Sequence, residues 1–274
     1  MVAAQEGAFR GIVADPLGER TQKPRREGLT MVIDKGMGVG ETQGLLEIAA
    51  SHIDFWKLPF GTSSVYPTEV LRRKIQAVVS AGVSCYPGGT FLEIAHLQGQ
   101  LEAFVDRAVD LGFDAIEVSD GTIDLTLAER SKAIRLARAR GLTVLTEVGR
   151  KDPAQRLSAL QVHRTIVEDI AAGAERIIVE GRESGKGVGI YDADGEVAEE
   201  ELLKMVRAAG DIHRLIWEAP LKSQQQELIR RFGSNVSLGN VPPQEILALE
   251  ALRRGLRADT LRYVLPEADK DGAI

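Results

Sequence analysis

The chain of 274 residues contains one cysteine, and only 5% of it is aromatic. A lone thiol, Cys85, cannot close an internal disulfide, so the fold has to rest on burial alone. Basic residues carry no surplus. The 34 Lys and Arg stand against 40 Asp and Glu, a formal charge of −6, which leaves no global footprint for nucleic acid or anionic lipid. No apolar run exceeds the length of a strand, which argues against a membrane span. The four histidines, His52, His96, His163 and His213, show neither HExxH nor any other ligand spacing, so a zinc site is not expected. The first residues lack a basic stretch followed by an apolar one, and with the single cysteine this suits a reducing cytoplasm. What is present, 44% hydrophobic and 27% charged residues, is the composition of a globular protein large enough to bury roughly 75% of its unfolded surface.

Residues 1–27 mix charges, glycines and prolines without a period and read as an N-terminal arm or cap, and residues 266–274 as a polar tail. Between them, over 28–265, short apolar runs recur at Leu29 to Asp34, Ile53 to Leu58, Val83 to Tyr86, Ala115 to Val118, Thr143 to Val148, Arg176 to Glu180, Leu215 to Glu218 and Val236 to Leu238. The segments between them have helical spacing, clearest for Leu101, Phe104, Val105, Ala108 and Leu111. Thr126 with Glu129 and Ser223 with Gln226 have the spacing of capping boxes, and Pro67 suits a first helical turn. Gly82, Gly112, Gly141, Gly173, Gly210 and Gly233 each fall between a helical segment and the next run, where a left-handed C-cap favours a residue without Cβ. Eight such repeats predict an α/β fold, a single (β/α)8 TIM barrel, with an open doubly wound sheet as the rival.

In such a barrel, chemistry sits at the C-terminal strand ends. Those ends carry Asp34 and Lys35, Lys57, Glu117 and Asp120, Glu147 and Lys151, Glu180 and Arg182, Glu218 and Lys222, and Asn240. Four successive strands close on Glu in one register, at Glu117, Glu147, Glu180 and Glu218. Grouped carboxylates repel unless a cation neutralises them, and oxygen ligands without a His or Cys cluster point to Mg²⁺. The basic members, Lys35, Lys57, Lys151, Arg182 and Lys222, ask for a small molecule with several negative charges. Loops after the seventh and eighth strands commonly hold phosphate, which here would involve Lys222, Ser223, Gly239 and Asn240. The glycines of residues 36–40 and 181–187 fit neither dinucleotide nor P-loop spacing. Residues 184–189, SGKGVG, read as a flexible lid or a plain surface loop.

The same strand ends carry a resemblance. GLTMVIDKG from Gly28 to Gly36, KLPFGTS from Lys57 to Ser63, YPGGT from Tyr86 to Thr90 and EVSDG from Glu117 to Gly121 are similar to stretches of the phosphosulfolactate synthase family. So are EVGRKD from Glu147 to Asp152, EGRESGKG from Glu180 to Gly187, WEAPLKSQQ from Trp217 to Gln225 and LRRGLRADT from Leu252 to Thr260. The resemblance implies Mg²⁺-dependent addition of sulfite to phosphoenolpyruvate, giving (2R)-phospho-3-sulfolactate through an enolate-type intermediate. It implies Lys151 as the catalytic acid and Glu147 and Glu180 as metal ligands, with Glu117 and Asp34 behind them. Lys35, Lys57 and Arg182 would then hold the anionic groups. Two alternatives remain open at this point: a Schiff-base aldolase using Lys151 as nucleophile, and a non-catalytic, stress-associated family member. Apolar outer helices lead us to expect a homo-oligomer.

Overall fold

Eight strands alternate with helices in the computed structural model, which describes residues 8–9, 11–152 and 157–265. The strands are β1 (Thr30–Ile33), β2 (Phe55–Leu58), β3 (Ser84–Pro87), β4 (Ala115–Val118), β5 (Thr143–Val148), β6 (Arg176–Val179), β7 (Leu215–Glu218) and β8 (Leu238–Val241). The helices are α1 (Val39–Ala49), α2 (Thr68–Ser80), α3 (Gly89–Leu97), α4 (Leu101–Leu111), α5 (Leu127–Ala139), α6 (Ala159–Ala172), α7 (Glu199–Ala209), α8 (Lys222–Phe232), α9 (Ile246–Arg253) and α10 (Ala258–Leu261). All strand pairs are parallel, in the order β3-β2-β1-β8-β7-β6-β5-β4. First and last strands pair, so the sheet curls into a (β/α)8 barrel and the open sheet is excluded. At the β3/β4 seam, side chains stand in for ladder bonds. Asp114 Oδ1 accepts from the Cys85 amide at 2.7 Å, and Glu117 Oε1 from the Gly89 amide at 2.9 Å.

Each strand buries both faces, with period 2. Outward residues such as Val32, Trp56, Cys85, Ile177, Val179, Leu215 and Trp217 pack under the helices. Inward residues Met31, Phe55, Tyr86, Ala115, Leu145, Ile178 and Ile216 fill the barrel as an apolar plug. The N-terminal arm passes beneath the floor, where Arg20 pairs with Glu250 of α9 at 3.2 Å and Arg25 with Asp54, ahead of β2, at 3.2 Å. Residues 1–7 and 10 of the expected arm and the expected tail at 266–274 lie outside the described residues.

Several local expectations need correction. The last strand starts at Leu238 and runs on through Gly239 and Asn240, residues that argue for a loop by propensity. Gly239 packs closely there: a Cβ would come within 2.4 Å of Met31 Cε and 3.1 Å of Ile216 Cγ2, so a larger residue would displace the Met31 side chain. Ser223 is not a cap. The helix α8 begins one residue earlier, and Gln224 Oε1 accepts from the Leu221 amide at 3.2 Å. The Thr126/Glu129 box is present at the start of α5. Two helices, not one, separate β3 from β4. No helix among the described residues is long and apolar enough to cross a membrane.

Candidate active site

The same period that builds the plug builds the layer above it. Two residues beyond Phe55, Ala115, Leu145, Ile178 and Ile216 stand Lys57, Glu117, Glu147, Glu180 and Glu218, so their side chains also point into the barrel, at its C-terminal mouth. All five are at most 6% exposed. Lys57 Nζ lies 2.9 Å from Glu117 Oε2, 3.2 Å from Glu218 Oε1 and 3.7 Å from Glu147 Oε2. Lys151, beyond the end of β5 and half-buried, is set between Glu147 Oε1 at 3.4 Å and Glu180 Oε2 at 3.5 Å, and donates to Thr90 Oγ1 at 3.1 Å.

Glu147, Glu180 and Glu218 bring one oxygen each to within 4.8 Å of one another. Backbone amides hold two of the three in place: Gly181 N donates to Glu218 Oε2 at 2.9 Å, and Arg182 N to Glu180 Oε1 at 2.7 Å. Glu180 Oε2 is buried, and the donor nearest to it is the Lys151 ammonium at 3.5 Å. Burial, then the charges of Glu147 and Glu218, hold the Glu180 carboxyl well above the usual range. Burial would raise Glu147 too, but Lys151 and Lys57 draw it down to about 2. Burial pushes Glu117 up to about 7, against the pull of Lys57. Desolvation disfavours the Lys151 ammonium, yet Glu147 and Glu180 hold its pKa above the ordinary lysine value. Three convergent oxygens with one carboxyl raised by its like-charged neighbours are what a group of hard oxygen ligands shows when its countercharge is incomplete, so the trio fits a divalent ion such as Mg²⁺.

The other residues expected at the mouth separate into those brought to it and those turned elsewhere. Asp34 stands apart from the trio, with its oxygens engaged by Lys74 at 2.5 Å, Trp56 Nε1 at 2.8 Å and the amides of Gly36 and Met37. Lys35 is exposed, 6.0 Å from the centre of the Phe60 ring. Lys222 is exposed on α8 and pairs with Asp259 of α10 at 2.8 Å, and Ser223 is exposed beside it. Arg182 and Asn240 meet: both adopt left-handed backbone, and Asn240 Nδ2 donates to the Arg182 carbonyl at 3.3 Å while its Oδ1 is buried without a partner. Gly239 lies on the barrel wall opposite Glu218 in register. Residues 184–189 do not hang free as a lid. Gln224 Nε2 donates to the carbonyls of Gly185 and Gly195, and buried Val188, Ile190 and Tyr191 pin the segment down. Gly189 approaches so closely that a Cβ would sit 1.8 Å from the Glu180 carbonyl.

Two members of the site went unassigned in the sequence. Glu218 shares the register of the other glutamates and could have been chosen on that ground. Thr90 closes the YPGGT stretch that carries the resemblance, but no register pointed to it, since it reaches Lys151 across the unpaired seam.

Comparison with known proteins decides the family. The family model for (2R)-phospho-3-sulfolactate synthase matches residues 18–259. The chain belongs to the phosphosulfolactate synthase family. Phosphosulfolactate synthase of Methanothermobacter thermautotrophicus is 43% identical over 89% of this chain and 95% of its own. That of Methanocaldococcus jannaschii is 44% identical over 87% of this chain and 96% of its own. The solved structure of phosphonopyruvate hydrolase, at 15% identity, covers 89% of each chain with a TM-score of 0.51, a likeness of fold alone. Membership makes this member of the phosphosulfolactate synthase family an enzyme that forms a carbon–sulfur bond, a lyase.

Proposed function

We propose that the chain catalyses addition of sulfite to phosphoenolpyruvate, giving (2R)-phospho-3-sulfolactate, with Mg²⁺ held by Glu147, Glu180 and Glu218. The observation that carries this reading is the placement of the Lys151 ammonium within 3.5 Å of two members of that carboxylate trio. A proton donor and a cation site therefore share one mouth. When bound, the ion supplies a Lewis acid that withdraws negative charge from the substrate carboxylate.

The sulfite sulfur contributes its electron pair to the methylene carbon. The pair of the carbon–carbon double bond moves toward the carboxylate, and the phosphate-bearing carbon must then take a proton. Lys151 delivers it and recovers one from water, a contribution of roughly 10²- to 10⁴-fold. Glu147 and Glu180 keep Lys151 charged until then. Lys57 supports from below, fixing Glu117, Glu147 and Glu218 so that their oxygens do not scatter. Arg182, whose carbonyl Asn240 Nδ2 holds, is the basic residue we assign to an anionic group of the substrate. We further propose a cytoplasmic location, in keeping with the single buried thiol, and self-association through apolar outer helices, which light scattering tests. The decisive experiment mixes purified protein, phosphoenolpyruvate, sulfite and Mg²⁺ and follows substrate loss by phosphorus NMR. Consumption is expected, and its absence with folded protein overturns the reading.

A further inference from the structure

Arg130 of α5 lies outside the mouth and is 1% exposed, yet its guanidinium reaches the strand ends that carry the chemistry. Nε and Nη2 form a fork on Asp169 of α6, at 3.0 and 2.8 Å. Nη1 binds Asp120 Oδ1 at 2.9 Å, in the loop after β4. Nη2 also donates to the backbone carbonyl of Glu147 at 2.8 Å, at the end of β5. One planar group thus joins two helices, one loop and one strand end, a geometry that a lysine's point charge cannot reproduce.

The joined pieces converge on Lys151. Its backbone amide donates to the Gly121 carbonyl at 3.1 Å, one residue beyond Asp120. Gly121 lies against its side chain: a Cβ there would stand 3.3 Å from Lys151 Cγ and Nζ and from Glu147 Oε1. The neighbouring Arg150 returns to the same loop, donating to the carbonyls of Asp120 at 2.7 Å and Ile123 at 3.0 Å. We infer that Arg130, through Asp120 and the Glu147 carbonyl, is a positioning residue that fixes where the Lys151 ammonium sits relative to Glu147 and Glu180. The role deepens the reading of Lys151 as proton donor and rests on it. A misplacement of about 1 Å in such a group costs on the order of 10²-fold in rate without weakening substrate binding.

The test compares three full-length variants with wild type: Arg130→Lys, which keeps the charge opposite Asp169 but loses the fork, Asp120→Ala, and Asp120→Asn, which keeps an acceptor for Nη1. Thermal unfolding checks that each is folded. Expected for Arg130→Lys and Asp120→Ala is a kcat lowered roughly tenfold to a hundredfold, with KM for phosphoenolpyruvate and sulfite within about twofold, and substantial rescue in Asp120→Asn. Unchanged kcat in folded variants, or a loss carried wholly by KM, overturns the inference. Amide hydrogen exchange tests the link without substrate: in Asp120→Ala, residues 119–124 and 147–152 should exchange faster than the rest of the barrel. If wild type itself consumes no substrate, the proposed function fails, and exchange then decides. Acceleration confined to those segments sustains the link, and unchanged or uniform exchange refutes it. Should Arg130→Lys fail to fold, the half-buried Asp120 pair of variants carries the comparison.

Discussion

Two layers of charge bracket the apolar plug, and they are neutralised differently. On the floor, Arg20 meets Glu250 and Arg25 meets Asp54, while Arg253 and further donors end on backbone carbonyls. Arg20 Nη2 reaches Gly28 O at 3.1 Å, and Arg253 reaches Ser234 O at 2.8 Å and Leu29 O at 3.2 Å. Backbone carbonyls take most of that layer's remaining donors, with Arg253 Nε left over, and the layer locks the arm and α9 to the strand starts. At the mouth, Glu117, Glu147, Glu180 and Glu218 face the two ammonium groups of Lys57 and Lys151, and the nearest donor to Glu180 Oε2 is the Lys151 ammonium at 3.5 Å. A layer closed by backbone groups serves stability. A layer in which three carboxylate oxygens converge within 4.8 Å of one another is poised for a ligand.

The sharpest way to break this contrast is to remove one charge from each layer and read activity and stability separately. Lys151→Ala is expected to lower kcat by roughly 10²- to 10⁴-fold with the unfolding temperature changed by only a few degrees. A variant with near-normal turnover would move the proton donor elsewhere. Borohydride with a carbonyl substrate should not trap Lys151, because two carboxylates within 3.5 Å favour the non-nucleophilic ammonium. On the floor, Glu250→Ala leaves the buried Arg20 without its carboxylate. It should cost about 3–5 kcal/mol by denaturant unfolding while turnover per folded molecule is retained. If that loss is no larger than for Lys151→Ala, the floor is not the structural layer described here.

Divalent ions give a smaller but more specific contrast. Mg²⁺ at about a hundred times its dissociation constant should stabilise the protein by about 2.7 kcal/mol, a rise of several degrees in unfolding temperature. Glu180→Gln should abolish that rise. In the absence of Mg²⁺ the same variant should be at least as stable as wild type, because it removes a carboxyl that burial and two like charges already oppose. A Glu180→Gln protein that still shifts with Mg²⁺ would place the ion elsewhere.

How much of this was legible in the sequence follows from which signals are local. Strands β4, β5 and β7 coincide with their apolar runs because β-branched and large apolar residues fill both faces. The last strand was read short because Gly239 and Asn240 take their places from contacts with Met31 and Arg182, which no propensity encodes. The shared register of the glutamates was visible. That Lys57 would lie beneath three of them, while Lys35 and Lys222 turn outward, depends on whether a basic residue falls on the inward phase of its strand or beyond the strand end. Phase is set by one residue, and adjacent positions therefore differ completely in fate. Asp34 illustrates the limit: it ends a strand as the glutamates do, yet Lys74, 40 positions later on α2, takes its charge.

The smallest expected effect belongs to Lys23, which tests whether the floor's closure extends to its edge. Its ammonium donates to the carbonyls of Ala50 at 2.9 Å and Gly82 at 3.0 Å, and burial, partly opposed by Asp54, lowers its pKa from 10.5 to about 8. Below about pH 8 both folded and unfolded chains hold the proton, and the cost of burying it is constant. Between about 8 and 10.5 the unfolded chain binds more protons, so this residue makes stability rise with pH across that window. Because Lys23 is half-buried and screened by solvent, the rise should be modest. Denaturant midpoints across the window should therefore climb less, or fall more steeply, in Lys23→Gln than in wild type. Parallel profiles would mean that the lysine swings free of both carbonyls in solution, and that the floor closes at Arg20, Arg25 and Arg253 alone.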